Sequence, residues 1–293
     1  MKPTTASRLH VEPVTRLYPG PTAEVPLEGL YLDDGIRPAG TPDRPCVYAD
    51  YVASVDGRIS LPDPDSGVHL PPPTITNPRD WRLFQELAAC ADVLVTSGRY
   101  MRDLAAGVAQ AGLPVSEKPE FTDLHQWRRT HGLSAQPAVA IVSYRLDLPI
   151  PGTLIQSGRP IYVATGRATD RSQVHRLEAK GVRILECGRG SAEIVDGGAL
   201  VEALVREGFG NIDMTAGGRL LHTLLAAGVL DRLYLTQAHL VLGGESFDTV
   251  VTGAQLEPPP ILELRSAHYD GAGEIPQLFV AFDVRRCRSG RPA

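Results

Sequence analysis

From Cys46 onward, short apolar runs alternate with amphipathic stretches. CVYADYVAS (46–54) is rich in aromatic and β-branched residues and predicts a strand ending at Ser54-Val55-Asp56-Gly57. The stretch 61–77 holds too many prolines for a regular element and reads as a long loop. Asn77-Pro78 then marks a helix start, with proline at the first helical position. Leu83, Phe84, Leu87, Ala88 and Ala91 follow at helical spacing. VLVTS (93–97), AVAIVS (138–143), IYVAT (161–165), VRILEC (182–187) and NIDMTA (211–216) predict short buried strands. A polar insert over roughly 107–136 separates the first two of these and carries a helix candidate at FTDLHQWRRTHG. Further helices are predicted from Asp170 to Lys180, over ALVEALVREG (199–208) and over RLLHTLLAAG (219–228). RLYLTQAHLVL (232–242), ILELRSAHY (261–269) and QLFVAFDV (277–284) read as strands.

Strand and helix alternate to about Gly228, and strands dominate afterwards. That order predicts an α/β domain with a mostly parallel central sheet flanked by helices and antiparallel C-terminal strands. Residues 1–44 show little periodicity and read as an irregular arm, 45–286 as the domain, and 287–293 as a tail.

Composition narrows the function. A net charge of −5 argues against a surface-wide nucleic-acid interface. The N-terminus shows no apolar signal segment, and the longest nearly apolar stretch, 220–230, falls short of the ~20 residues a membrane span needs. Cys46, Cys90, Cys187 and Cys287 form no CxxC pair, so the expectation is free thiols in a reducing, cytoplasmic compartment. His10-Val11-Glu12 and Pro45-Cys46 only superficially echo a zinc-deaminase motif, which needs a second cysteine close by. No GxSxG, Walker or full GxGxxG pattern occurs.

The candidate chemistry lies at strand ends. Thr215-Ala216-Gly217-Gly218-Arg219 joins a strand to a helix through two glycines, where bare amides and the positive helix end attract an anion such as a dinucleotide's phosphates. Ser54, Ser97, Ser143, Thr165 and Thr215 all end strands, and ligands of open parallel sheets bind there. Each is equally compatible with ordinary strand-to-loop structure. Asp56 could hold a donor-rich heterocycle, pass a proton or brace its turn. Arg79, Arg82, Arg99 and Arg102 could bind phosphate or form a solvated face.

Several segments together resemble a known family. Ser54-Val55-Asp56-Gly57-Arg58-Ile59 resembles the S-[LV]-D-G-[RK] segment of the reductase half of bifunctional riboflavin deaminase–reductases. Ser66-Gly67 lies at its polar substrate loop. Ala91 to Gly98 is similar to its cofactor loop, Met214 to Leu221 with Ala227 to Leu233 to its glycine turn and helix, and Leu242-Gly243-Gly244 to its LLGG step. The resemblance runs from about Pro45 to Arg285. It implies a dihydrofolate-reductase-like fold, NADPH as hydride donor, a homodimer, and a stand-alone reductase lacking the zinc deaminase half. The implied reaction reduces the ribosylamino group of a phosphorylated aminopyrimidine or aminouracil to ribitylamino.

By that resemblance, Asp56 is the catalytic candidate, and Ser54, Ser66, Arg82 and Thr215 face the substrate. Val52, Ser97 and Gly98 lie along the nicotinamide and its ribose. Gly217, Gly218, Arg219, Leu220 and Leu221 hold the pyrophosphate. Ser143 and Thr165 sit at the adenosine end, with Arg167 or Arg171 reading its phosphate. The chain departs from the family at three points. Thr215 replaces a glutamate, Leu87 or Ala88 falls where a phosphate-binding arginine is usual, and Arg99-Tyr100 replaces a threonine. Arg82, one helical turn earlier, is the expected substitute for the arginine. These departures keep two alternatives open: a same-fold reductase of a pterin, folate or other small carbonyl or imine, and a catalytically decayed nucleotide-binding protein.

Overall fold

The apolar runs form the middle of one eleven-stranded sheet in the computed structural model, which describes residues 12–41, 43–108, 114–167, 170–189 and 194–285. In chain order the first strands are β1 (Val14–Tyr18), β2 (Ala23–Val25), β3 (Cys46–Ser54), β4 (Arg58–Pro62) and β5 (His69–Leu70). β6 (Val93–Ser97), β7 (Ala138–Val142), β8 (Ile161–Thr165), β9 (Val182–Glu186), β10 (Asn211–Met214) and β11 (Arg232–Ala238) follow. β12 (Asp248–Thr249), β13 (Ile261–Asp270) and β14 (Gln277–Arg285) complete the series. The main sheet is ordered β2-β1-β13-β14-β11-β3-β10-β6-β7-β8-β9, and β12-β4-β5 make a small second sheet. From β11 to β9 every pairing is parallel, and from β11 to β2 every pairing is antiparallel.

The α-helices are α1 (Ile36–Ala39), α2 (Pro78–Cys90), α3 (Gly98–Ala105), α4 (Thr122–Thr130), α5 (Gly152–Gln156), α6 (Arg171–Glu178), α7 (Gly197–Arg206) and α8 (Gly218–Ala226). They cover both faces of the parallel half, which is why its strands are apolar on both sides. On one face Val47, Val93, Val95, Ile212 and Met214 pack against Leu200 and Leu204 of α7 and Leu221 and Leu224 of α8. On the other, Tyr48 and Leu94 lie under Leu83 and Leu87 of α2. Val139, Ile141 and Val163 meet Met101 of α3 and Leu177 of α6 on that same side. Each such fully buried aliphatic side chain contributes about 1.5–3 kcal/mol.

α2 starts where the sequence predicts. Asn77 Oδ1 accepts from the N–H groups of Arg79 and Asp80, each at 2.9 Å. Arg128 of α4 ties down its other end, donating to the carbonyls of Ala89 and Ala91 at 2.8 Å.

The structure corrects several expectations. The arm is not wholly irregular: β1 and β2 extend the antiparallel edge, β1 pairing with β13. Its prolines, Pro13, Pro19, Pro21 and Pro26, flank these strands rather than interrupt them, so proline density hid two short elements. The proline-rich loop contributes β5. β11 ends at Ala238 and not at Leu242, and α3 and α5 were not anticipated. Cys46, Cys90 and Cys187 are free and buried. Cys287, the tail 287–293 and residues 1–11 lie outside the described residues. Among the described residues no helix is long and apolar enough to cross a membrane.

Candidate active site

The carboxyl ends of the parallel strands open onto a cleft of about 840 Å³, within the size of small-molecule sites. Ser97 of β6 and Val142 at the end of β7 form its floor. One wall is the turn Ala216-Gly217 with Gly218, Arg219 and Leu220 of α8, and the other is Tyr144, Ile194 and Val195. Arg99, Asp248 and Thr252 stand at the mouth.

The two adjacent glycines do different jobs. A Cβ at Gly217 would meet nothing within 4 Å, so this position lies open to the cleft. A Cβ on Gly218 would lie 2.4 Å from the Thr249 carbonyl oxygen and 2.8 Å from that of Val250. Gly218 therefore lets the 249–250 backbone press against α8. No side chain caps the start of α8, so its first amides face the cleft without a protein side-chain acceptor. Tyr51 of β3 supports the turn from beneath, its hydroxyl donating to the Ala216 carbonyl at 2.7 Å. Gly98 is a close-approach glycine as well, since a Cβ there would lie 2.7 Å from Ser143 Oγ. These features fit a dinucleotide: an open glycine over bare amides for the phosphates, and small residues at the strand ends.

The remaining cofactor candidates divide. Ser97 lines the cleft, and its Oγ also caps α3 by accepting from Tyr100 N–H at 3.3 Å. Arg219 is exposed, Leu220 lines the cleft and Leu221 is fully buried, so Leu221 offers only backbone. Ser143 is buried and donates to the Arg145 carbonyl at 2.6 Å. Thr165 is 1% exposed and alternates with Tyr162 and Ala164, which face α7. Its side chain points to the opposite side of the sheet, away from the cleft. Arg167 and Arg171 are exposed near the end of β8. Val52 is part-buried and shares the α2 side of β3 with Tyr48.

Several substrate-side expectations change. Asp56 does not stand ready to move a proton. Ser54 Oγ and Arg58 Nη1 each donate to its carboxylate at 2.5 Å, and the N–H groups of Leu242 and Gly243 add bonds at 3.2 and 2.9 Å. Ser54's hydroxyl foremost, then Gly243's amide, hold its pKa down at about 2. The group is an anion locked into a brace between the β3–β4 turn and the loop after β11. Ser54, 1% exposed, belongs to the same brace and also accepts from Arg58 N–H at 3.1 Å. Ser66 is exposed but donates through both N–H and hydroxyl to Asp63 Oδ1 at 2.8 Å, closing the β4–β5 turn.

Arg82 does not replace the missing arginine. It is 1% exposed, its Nε donates to Glu86 at 2.9 Å, and its Nη1 donates to Asp123 at 2.9 Å. It clamps α2 to α4 instead. Arg79 is likewise internal, bonded to Asp270 at 2.7 Å with both side chains 1% exposed. Of this group Arg99 reaches the cleft, held by Asp248 and the His69 carbonyl, each at 3.3 Å. Thr215 is part-buried and folds its hydroxyl back on the Val95 carbonyl at 3.4 Å.

Sequence reasoning missed Tyr144, Asp248 and Thr252, which come from two loops and the two-residue strand β12, none with a periodicity to read. It also missed three carboxylates on the α2 side of the sheet, Asp213, which is buried, and Asp50 and Asp80, which are part-buried. Their signal was present: a charged residue in the middle of an apolar strand, twice. Among the described residues no cluster of three His, Cys, Asp or Glu is placed to hold a metal ion.

A mostly parallel sheet with an antiparallel C-terminal edge and a cleft at its carboxyl ends defines a dihydrofolate-reductase-like α/β domain. The chain belongs to the RibD C-terminal domain family, matched over residues 45–274, and thus to the pyrimidine reductases of riboflavin biosynthesis. It is 23% identical over 214 residues to the 2,5-diamino-6-ribosylamino-4(3H)-pyrimidinone 5′-phosphate reductase of Archaeoglobus fulgidus, covering 72% of this chain and 87% of that protein. Its fold matches a pyrimidine reductase-like protein from Corynebacterium diphtheriae with a TM-score of 0.61 and 18% identity, over 83% of this chain and 93% of the other. A deaminase/5-amino-6-(5-phosphoribosylamino)uracil reductase from Thermotoga maritima matches with a TM-score of 0.54 and 11% identity. This chain covers 57% of that protein, and 83% of this chain is matched.

Proposed function

We propose that the protein is an NADPH-dependent reductase that converts the ribosylamino group of a phosphorylated aminopyrimidine to ribitylamino. The observation that carries this reading is the cleft at the strand ends, walled by the uncapped first turn of α8 with Gly217 open toward it. Gly217, Gly218 and Arg219 would receive the pyrophosphate, and Ser97 and Gly98 the nicotinamide ribose. When bound, the cofactor supplies hydride to the sugar carbon. The protein's part is to hold the two reactants in register and exclude water, the main contribution expected where a cofactor carries the chemistry. Asp56 acts as a brace in this reading and not as the proton carrier.

The uncovered face at the antiparallel edge supports a homodimer. Leu262 and Leu264 of β13 are 40% and 42% exposed, and Phe282 of β14 pairs with Leu264. Such apolar patches suit association with a second copy.

The test is NADPH oxidation, followed at 340 nm, with 2,5-diamino-6-ribosylamino-4(3H)-pyrimidinone 5′-phosphate, together with the NADPH-induced rise in melting temperature. Turnover coupled to a ribitylamino product is expected. No turnover refutes the reading, and equal rates on unphosphorylated analogues move the substrate to the pterin or carbonyl class.

A further inference from the structure

A carboxylate stands at the mouth of a cleft suited to an anion. Among the described residues, the charged side chains lining that cleft are Arg99, Arg219 and Asp248. Asp248 begins β12, and the chain just after it is fastened to α8. The Thr249 and Val250 carbonyls press on Gly218, Thr252 N–H donates to the Gly218 carbonyl at 3.1 Å, and His222 Nε2 donates to the Ala254 carbonyl at 2.8 Å. Burial would raise the Asp248 carboxyl, but the Ser60 hydroxyl first, then Arg99 and His69, hold it below the usual carboxylate range. Asp248 is therefore an anion fixed near the helix end proposed to receive phosphates. Like charges repel, so this placement needs a second task to explain it.

Arg99 supplies that task. It is the second residue of α3 and is 51% exposed. It reaches Asp248 Oδ2 and the His69 carbonyl at 3.3 Å each, and Asp103 at 3.7 Å. All three contacts are longer than the ~2.7–2.9 Å of a well-formed charge-assisted bond. Arg79, by contrast, meets Asp270 at 2.7 Å with both side chains 1% exposed. Arg99 is loosely held where Arg79 is locked. Asp248 does not depend on it, because the Ser60 hydroxyl donates to the same Oδ2 at 2.7 Å. Arg99 can leave without stranding the carboxylate.

The pyrophosphate of a dinucleotide carries one negative charge on each phosphorus, whereas a helix end supplies only about half a positive charge. Arg219 adds one cation from α8 itself. A second cation, from α3, completes the neutralisation, and a guanidinium offers paired donors that match phosphate oxygens. We propose that Arg99 exchanges Asp248 for the pyrophosphate when the cofactor enters. Arg99 is then a cofactor-binding residue, and Asp248 is the positioning residue that presents it beforehand and competes for it. This rests on the dinucleotide site of the reductase reading and adds to it one cation and the carboxylate that sets its availability.

The test reads binding and needs no turnover. Dissociation constants of the full-length protein for NADPH and NADH are measured by fluorescence titration, and melting points without ligand report the folding of each variant. Arg99→Gln is expected to weaken both dinucleotides about tenfold, since both carry the pyrophosphate, which is about 1.4 kcal/mol. Asp248→Asn keeps an oxygen for Ser60 and is expected to tighten both by about three- to tenfold, by releasing Arg99 and removing the repulsion. Arg102→Gln removes the same charge about one turn further along α3, outside the cleft lining, and is expected to change neither affinity by more than about twofold. If Asp248→Asn fails to fold, Arg99→Lys joins Arg99→Gln to decide, with lysine expected to fall between glutamine and wild type. A change under about twofold in Arg99→Gln, a loss confined to NADPH, an equal loss in Arg102→Gln, or no tightening in a folded Asp248→Asn would each overturn the proposal. A wild type that binds both dinucleotides but reduces no phosphoribosylamino compound refutes the reductase reading alone, whereas one that binds neither dinucleotide refutes both.

Discussion

Two neighbouring glycines should fail in opposite ways when each is given a side chain. At Gly218, alanine places a methyl group 2.4 Å and 2.8 Å from two backbone carbonyl oxygens. Neither oxygen can rotate aside, so α8 or the 249–250 segment must move. Overpacking of this kind costs about 1–3 kcal/mol, partly offset by alanine's helix preference of about 0.5–1 kcal/mol. A net loss of about 1–2 kcal/mol corresponds to a melting point lower by about 2–8 °C for a domain of this size. At Gly217 the backbone has φ −66° and ψ 168°, open to any residue, and the added side chain has nothing to strike. Gly217→Val should therefore melt within about 2 °C of wild type, as a surface substitution does. It should nevertheless weaken NADPH at least tenfold, because the isopropyl group stands where the pyrophosphate would meet the amides. Differential scanning fluorimetry without ligand and fluorescence titration with NADPH separate the two effects. Wild-type NADPH affinity in Gly217→Val would show that the cofactor does not lie on this turn. A wild-type melting point in Gly218→Ala would show that the close packing is wrong.

Other perturbations test the supporting structure. Arg79→Ala leaves Asp270 buried without its cation and should cost about 3–5 kcal/mol in chemical denaturation, whereas a loss under 1 kcal/mol would contradict the buried pair. Asp80 is raised to about 6 in the fold, above its unfolded value near 4. The stability its neutral form contributes is complete below about pH 4 and lost as pH rises through about 6. Asp80→Asn should therefore gain on wild type between pH 4 and pH 7, by at most about 3 kcal/mol, in urea melts, and a gap independent of pH would exclude the shift. Asp56→Asn should lower the melting point and expose the 240–245 loop to protease while the acid limb of the pH–rate profile persists. Loss of that limb would return Asp56 to a proton-carrying role.

Much of the fold was legible because parallel strands buried on both faces write themselves as uninterrupted apolar runs. AVAIV and IYVAT could hardly be anything else in an alternating chain, and Asn77-Pro78 announced α2 by cap chemistry alone. The small elements were not legible. β1 and β2 are three to five residues long between prolines, and pairing with β13 stabilises them more than any local preference. In the site, the Thr215 to Leu221 turn was readable because glycines before a helix have a backbone consequence. Roles that depend on distant partners were not. Nothing near Asp56 in the chain reveals that Leu242 and Gly243 will bond it, or that Asp123 will claim Arg82. Asp50 and Asp213 each interrupt an apolar run, and a buried carboxylate in such a run is itself a sign of chemistry.

β3 serves two masters through the pleat of a single strand. Tyr51 props the Ala216 turn on one side, while Asp50 and Val52 look to the other. Adding or deleting one residue between Tyr48 and Asp50 would invert every side chain beyond it, turning the prop toward α2 and a carboxylate into the apolar layer beneath α8. The prop beneath the turn and the polar layer beneath α2 would be lost in one event. This segment should therefore change by substitution and not by length, and any redesign of one ligand's pocket must begin by holding this strand's phase fixed.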